Sequence, residues 1–106
     1  MPREAAMVHS EPAVFLLEYR VGAVEEQDLA RMHQVLLHAV ARLVAAGVAI
    51  RYTHGLFVPG DGRCVYLLEA TEPASVMRAG DIAGLPLARV RSVIDLGSLS
   101  QPGNKH

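Results

Sequence analysis

His54 and Cys64 are the two side chains of this sequence best suited to hold a metal ion or to move a proton. An imidazole titrates near neutral pH and binds metals, and a thiol becomes a good ligand when its pKa is lowered. Both residues also have simpler interpretations, as a half-buried histidine bonded to a neighbour and as a small buried hydrophobe. We predict His54 at the centre of any functional pocket, with Cys64 at its margin, and name both as candidate metal ligands.

The spacing of these two residues limits what they can do together. If the strands that carry them close near Val58 and Arg63, His54 lies opposite Leu67 or Leu68. Cys64 is then three or four positions along the strand, about 10–13 Å away. We therefore expect one metal ion to require ligands from a second subunit.

Three other polar side chains are predicted to surround His54. Tyr52 is two positions earlier in the same strand and shares its face by alternation, while Tyr66 and Glu18 belong to neighbouring strands. The predicted ligand-binding set is thus Glu18, Tyr52, His54 and Tyr66. Core packing for the tyrosines and an ordinary sheet charge for Glu18 are the alternatives.

The elements that position these residues follow the order β-α-β-β-α-β. The sequence predicts strands over residues 13–21, 48–58, 63–69 and 89–96 and helices over residues 24–46 and 74–82. A Pro-Gly-Asp-Gly turn at residues 59–62 joins the second and third predicted strands and is a strong hairpin signal. In the first helix, His33 is predicted at the edge of the apolar stripe and His38 on the polar face. Residues 1–11 and 98–106 are predicted to be a flexible arm and a flexible tail around a domain at residues 12–97.

This order predicts an α+β, ferredoxin-like fold, a four-stranded antiparallel sheet with both helices on one face. Several strands have consecutive apolar residues, as at residues 14–17, 56–58 and 65–68, so both faces of the sheet are apolar. The face without helices then needs a cover. We predict a homodimer, or a higher homo-oligomer, that packs sheet on sheet at a spacing of roughly 10 Å.

Composition narrows the function classes. The chain has 106 residues, enough for one domain, and is 51% hydrophobic with a net charge of −1. It has no positive field to attract nucleic acid, and no apolar run long enough for a membrane span. A single cysteine and an N-terminus unlike a signal peptide favour the cytoplasm. The sequence also contains no phosphate-binding glycine motif and no nucleophile motif.

Four segments carry a family resemblance. They are residues 51–54 (Arg-Tyr-Thr-His), 64–66 (Cys-Val-Tyr), 83–86 (Ala-Gly-Leu-Pro) and 90–95 (Val-Arg-Ser-Val-Ile-Asp). In this order they resemble a bacterial domain-of-unknown-function family that includes a small nickel-binding protein. The resemblance implies a ferredoxin-like fold, oligomerisation and binding of nickel or another divalent metal. The chain departs from the family at Ala79, where a histidine is frequent, and at Tyr19, where an arginine commonly follows the glutamate.

Two classes of function follow from these observations. The first is a homodimeric protein that binds a metal ion or small ligand and needs no metal to fold. The alternative is a cofactor-independent enzyme of the isomerase or monooxygenase type, with its pocket in a dimeric α+β barrel.

Overall fold

The computed structural model describes residues 12–22, 24–85 and 88–97. The predicted arm and tail, residues 1–11 and 98–106, lie outside the described residues. The elements are β1 (Ala13–Arg20), α1 (Glu26–Ala45), β2 (Ile50–Val58), β3 (Arg63–Ala70), α2 (Pro73–Ala83) and β4 (Arg89–Val93). All strand pairs are antiparallel, and the sheet order is β2-β3-β1-β4. The predicted α+β fold is confirmed.

Helix α1 forms because its apolar residues recur at helical spacing and bury one side. Leu36, Val40 and Leu43 are buried against the sheet, and the acidic Glu26 and Asp28 in the first turn complement the helix dipole. The helix ends where the backbone N–H of Ala46 bonds to the carbonyls of Arg42 and Leu43. Its inner side packs against β2 and α2.

The β2–β3 hairpin sets the register between the edge strand β2 and its neighbour β3. In the turn, the N–H of Gly62 donates to the carbonyl of Val58 at 2.9 Å. Gly62 has φ +63, a conformation that glycine adopts without steric cost. Its carbonyl also accepts from the N–H of Val21 at 2.8 Å, which ties the turn to the end of β1. The hairpin prediction is confirmed.

The two faces of the sheet differ in whether the helices cover them. Along β3, the buried Cys64, Tyr66, Leu68 and Ala70 alternate with half-buried residues, and these four belong to the core under the helices. The opposite side carries Val14, Leu16, Glu18, Arg51, His54, Leu56, Val58, Arg63, Val65, Leu67, Glu69, Arg89, Arg91 and Val93 by the strand register. We call this second side the helix-free face. Within the described residues, no element of the chain covers it.

A β-bulge in β2 changes which side chains reach each face. Tyr52 pairs with Leu68, but His54 pairs with Leu67, so Thr53 is an extra residue in the strand. The predicted common face of Tyr52 and His54 is therefore wrong, because the bulge reverses the alternation after Tyr52. His54 lies exposed on the helix-free face, and Gly55 takes the inward position opposite Tyr66.

Neither helix in the described part of the chain is long and apolar enough to cross a bilayer.

Candidate functional site

Tyr19 and Tyr66 form the buried base of a polar cluster inside the domain. The inward positions of β1 and β3 bring them beneath α1, where they are 2% and 4% exposed. Their hydroxyl oxygens are 3.1 Å apart, within hydrogen-bond distance, and their rings stack at 5.9 Å between centroids. The Tyr19 hydroxyl also lies 3.8 Å from the sulfur of Met32. Two polar groups are thus satisfied by each other inside an apolar core.

His33 and Tyr52 form the outer half of the cluster. The Nε2 atom of His33, on α1, is 2.8 Å from the hydroxyl oxygen of Tyr52, on β2. The His33 ring lies nearly parallel to Tyr66, with an interplanar angle of 12° and 6.3 Å between centroids. One imidazole and three phenol rings therefore meet between α1 and the sheet. We call Tyr19, His33, Tyr52 and Tyr66 the aromatic cluster.

Gly55 provides the room for two of these rings. A Cβ atom at this position would lie 2.6 Å from Cδ1 of Tyr66 and 2.8 Å from the Tyr52 hydroxyl oxygen. Both distances are shorter than real Cβ contacts. A glycine inside a strand commonly marks such a close approach. Here it allows Tyr52 and Tyr66 to lie against the backbone of β2.

A cleft opens beside the aromatic cluster at the free edge of β2. It has a volume of about 160 Å³. Apolar side chains and three polar ones line it. The polar ones are His33, Cys64 and Tyr66, and the other lining residues are Leu29, Gly55, Leu56 and Phe57. We call it the α1–β2 cleft. No carboxylate, ammonium or guanidinium group is among these lining residues.

A second hollow, of about 210 Å³, lies near the start of β2 and includes Arg51 and Glu69. These two side chains form an ion pair with 3.0 Å between Arg51 Nη2 and Glu69 Oε2. Their hydrogen-bonding groups are therefore already engaged. Although this hollow is larger than the α1–β2 cleft, it has fewer polar groups available to bind a ligand.

Burial makes the three phenols harder to ionise by raising the pKa of each. It is the main reason that the pKa of Tyr19 is raised far above its ordinary value of 10.0, and the hydrogen bond to Tyr66 and the nearby Cys64 thiol act in the same direction. Burial also raises the pKa of Tyr66 to about 12, although the hydrogen bond from Tyr19 opposes the change. The pKa of Tyr52 is raised by burial as well. At neutral pH the cluster presents uncharged hydroxyl groups that can donate and accept hydrogen bonds.

The predicted site residues divide between the two faces of the sheet. Tyr52, Tyr66 and Cys64 lie together on the helix side. Glu18 and His54 lie on the helix-free face, by the register of β1 and β2. Of the predicted site residues, the structure therefore brings together only Tyr52, Tyr66 and Cys64.

Glu18 occupies a charged cluster on the helix-free face. Its carboxylate oxygens lie 3.7 Å from Nη1 of Arg63 and 3.4 Å from Nη2 of Arg91. Only 11% of the Glu18 side chain is exposed, whereas Arg91 is 57% exposed. Paired guanidinium groups stabilise the nearly buried carboxylate, so Glu18 has a structural explanation at this position.

The predicted metal ligands do not form a site within one chain. His54 and Cys64 lie on opposite faces of the sheet, so they cannot share an ion inside a subunit. Within the described residues, no group of three or more His, Cys, Asp or Glu side chains could hold a metal. His33 and Cys64 line the same cleft, but two ligands are fewer than a closed protein site requires.

Sequence reasoning missed Tyr19 and His33 as members of the site. The sequence places Tyr19 among the tyrosines that could line a cavity but outside the predicted ligand-binding set, and it places His33 at the edge of the apolar stripe of the first helix. A usable signal was present in Gly55, since a glycine inside a strand predicts a bulge or a close approach of another group to the backbone. A close approach at Gly55 predicts a site at the rings on the inward side of the strand, and not at His54.

The fold and the cleft define an α+β domain of the ferredoxin-like type with an aromatic-lined site beside its edge strand. Among solved structures, the crystal structure of SCO4226 from Streptomyces coelicolor A3(2) is similar, with a TM-score of 0.62 and 22% sequence identity. The match covers 76% of this chain and 95% of that one. At this identity the likeness establishes the fold alone. No protein-family model matches the chain, and no curated protein matches it.

Proposed function

We propose that this domain binds a small, uncharged molecule in the α1–β2 cleft. The observation that carries the proposal is a cleft that combines apolar walls with hydroxyl, imidazole and thiol groups and has no ionic side chain. Ligand sites typically have this composition, an apolar lining with a few polar groups that fix orientation.

The size of the cleft limits the ligand to about one ring. A volume of about 160 Å³ is close to that of an apolar cavity able to hold benzene, roughly 150 Å³. Leu29 and Phe57 supply contact for an aromatic or aliphatic body. A ring with one small substituent fits this space.

The polar groups of the cleft favour a ligand with one hydrogen-bonding group. His33 Nε2 is engaged with the Tyr52 hydroxyl at 2.8 Å. The other ring nitrogen of His33 and the hydroxyl of Tyr66, both in residues that line the cleft, have capacity for a ligand. A charged ligand would lose its hydration without gaining an opposite charge. Phenols, small amides and small ketones meet these conditions, and carboxylates do not.

Ligand-observed NMR with phenol, p-cresol and benzoate tests the proposal. We expect saturation transfer to the two neutral compounds and none to benzoate. In Leu29→Trp, a large ring fills the cleft, and binding should be lost. Val35→Trp, on the same helix but outside the lining residues, is the matched control and should bind as the wild type does. Equal binding by Leu29→Trp and the wild type would show that the compounds bind elsewhere.

The His33–Tyr52 pair supports a second candidate, a cofactor-independent enzyme that moves a proton. An imidazole can accept a proton from carbon while a protonated phenol donates to the developing oxygen anion. The 2.8 Å separation brings a base and an acid together at His33, which lines the cleft. Deuterium exchange at the α-carbon of cyclohexanone in heavy water would reveal such activity. A rate equal to that of His33→Gln would exclude His33 as the base.

The family resemblance implies nickel binding, which calorimetric titration with nickel, zinc and copper can test. The proteins to compare are the wild type, His54→Ala and His33→Ala. Loss of binding only in His54→Ala would support the predicted role of His54, through ligands of a second subunit. Loss only in His33→Ala would place the metal in the α1–β2 cleft instead. The same titration without any binding would leave the neutral ligand as the better-supported function.

A further inference from the structure

Positive side chains outnumber negative ones around Glu18 on the helix-free face. The Glu18 carboxylate lies between Arg63 on β3 and Arg91 on β4, 3.7 Å from Nη1 of the first and 3.4 Å from Nη2 of the second. Arg89 is directly opposite Glu18 in the β1–β4 register, so its side chain projects from the same face. Three arginines thus surround one carboxylate. We call Arg63, Arg89 and Arg91 the arginine cluster.

The guanidinium groups of the arginine cluster have donors that the chain leaves unused. Hydrogen bonds from a guanidinium to a carboxylate are usually about 2.7–2.9 Å long, so both contacts to Glu18 are loose. Arg63 Nη2 donates to Asp61 at 3.1 Å, but Arg63 Nε is buried without a hydrogen-bond partner among the described residues. Arg89 forms no ion pair with any residue that the structure describes. A buried donor without a partner is uncommon in folded proteins, and a bound ion is one of the partners that explain it.

The same region has a surplus of two positive charges. Arg20 is opposite Arg63 at the end of β1, and its guanidinium donates to the backbone carbonyl of Asp61. Together with the arginine cluster, this gives four arginines against the carboxylates of Glu18 and Asp61, a local charge of +2. The chain as a whole carries −1, because acidic residues such as Glu26 lie on α1, on the other side of the sheet. The overall composition therefore conceals a positive field on this face.

We propose that the arginine cluster binds a phosphate group, either as the free ion or at the end of a small phosphate ester. A phosphate ester carries close to two negative charges at neutral pH and has three strong acceptor oxygens, which match the surplus charge and the unused donors. The planar guanidinium group binds phosphate through two parallel hydrogen bonds. A monocarboxylate balances only half of the surplus. Glu18 is then a positioning residue, since it is 9% exposed and holds the guanidinium groups of Arg63 and Arg91 beside the site.

The phosphate site is separate from the α1–β2 cleft. The cleft lies on the helix side of the sheet and has no ionic side chain in its lining, whereas the arginine cluster lies on the helix-free face. The two places select opposite ligands, a neutral molecule and a dianion. The inference therefore goes beyond the proposed function and stands without it.

Titration with sodium phosphate, followed by NMR of the ¹⁵N-labelled protein, tests the inference. In a phosphate-free buffer at low salt, we expect saturable shifts of the side-chain Nε–H signals of the arginine cluster and of the backbone amides of β4. Glycerol phosphate is the second ligand. Binding of both compounds shows that the site accepts an ester, and binding of the free ion alone identifies the ion as the ligand. Benzoate, a monoanion, should cause no saturable shift, and sodium chloride should weaken phosphate binding because salt screens the charges.

Arg89→Gln and Arg91→Gln each remove one guanidinium group and should weaken phosphate binding about tenfold. Both side chains are exposed, so neither change leaves a cavity in the core. Arg89→Gln also leaves the ion pairs of Glu18 intact, so its effect does not arise from a displaced Glu18. Arg31→Gln is the matched control, because it removes the same charge from a side chain on α1 that is 71% exposed. It should bind phosphate as the wild type does.

Three results would overturn the inference. The first is the absence of any saturable shift at millimolar phosphate. The second is equal affinity of the wild type, Arg89→Gln and Arg91→Gln, which would place the ion elsewhere. The third is benzoate binding as tight as that of phosphate, which would contradict a site for a dianion. None of these results involves phenol or p-cresol, and Leu29→Trp leaves the arginine cluster unchanged, so failure here is distinguishable from failure of the proposed ligand site.

Discussion

Gly55→Ala is the substitution that most directly tests the packing of the aromatic cluster. The new Cβ would lie 2.6 Å from Cδ1 and 2.9 Å from Cε1 of Tyr66, and 2.8 Å from the hydroxyl of Tyr52. Reaching ordinary contact would move the Tyr66 ring by about 0.8 Å. That ring is 4% exposed and stacked between Tyr19 and His33, so it cannot move without disturbing its neighbours.

The magnitude follows from two opposing effects. Overpacking of a filled core costs about 1–3 kcal/mol. Replacing a strand glycine with alanine returns roughly 0.5–1 kcal/mol, because the unfolded chain loses conformational freedom. The expected net loss in the free energy of unfolding is about 1–2 kcal/mol, and thus a fall in Tm of roughly 5–15 °C for a domain of this size.

Thermal unfolding followed by circular dichroism measures the effect. Gly60→Ala is the matched control, since a Cβ there meets nothing within 4 Å and the backbone does not have a positive φ. Its Tm should be unchanged or slightly higher. If Gly55→Ala melts within about 2 °C of the wild type, Tyr66 does not approach the backbone of β2, and the described aromatic cluster is wrong.

Two further predictions concern pH and metal. Burial raises the folded pKa of the three tyrosines above the unfolded value of 10.0. Stability should therefore be intact below pH 10.0 and fall as the pH rises towards about 12, where Tyr66 ionises in the folded state. An ultraviolet titration of the folded protein that shows all three phenols ionising near pH 10.0 would contradict the burial argument. Chelator should leave Tm within a few degrees, because the core is built from apolar side chains, and loss of secondary structure on chelation would reveal a structural metal.

The fold could be predicted from the sequence because its signals are local and agree with one another. The apolar spacing of α1, the Pro-Gly-Asp-Gly turn and Gly84 after α2 each locate an element boundary, and the structure has these elements within a few residues. The last strand was predicted through residue 96 but ends at Val93. Its final apolar residues, Ile94 and Leu96, lie beyond the end of the strand and are exposed, so hydrophobicity alone overestimated the length.

The site could be predicted only in part. The face of the sheet to which a side chain points depends on the register of its strand, and one bulged residue changes that face for every residue after it. Tyr52 and Tyr66 were predicted together, and they do approach each other, with 6.2 Å between ring centroids. His54 was predicted with them by simple alternation, which the extra residue Thr53 invalidates. His33 comes from a different element, and only tertiary packing brings its ring to Tyr52.

The bulge in β2 makes the chemistry of the cleft depend on the backbone conformation at one residue, Thr53. If Thr53 were paired in regular alternation instead of being bulged out, residues 54–58 would exchange sides as a block. His54 would turn beneath α1, where the Tyr66 ring now lies against Gly55, and Phe57 would turn away from the cleft. Loss of the bulge alone would thus replace the whole set of groups that this part of β2 offers to a ligand, while every amino acid stayed the same. When homologues are aligned, a gap misplaced by one position here would assign the wrong residues to the site.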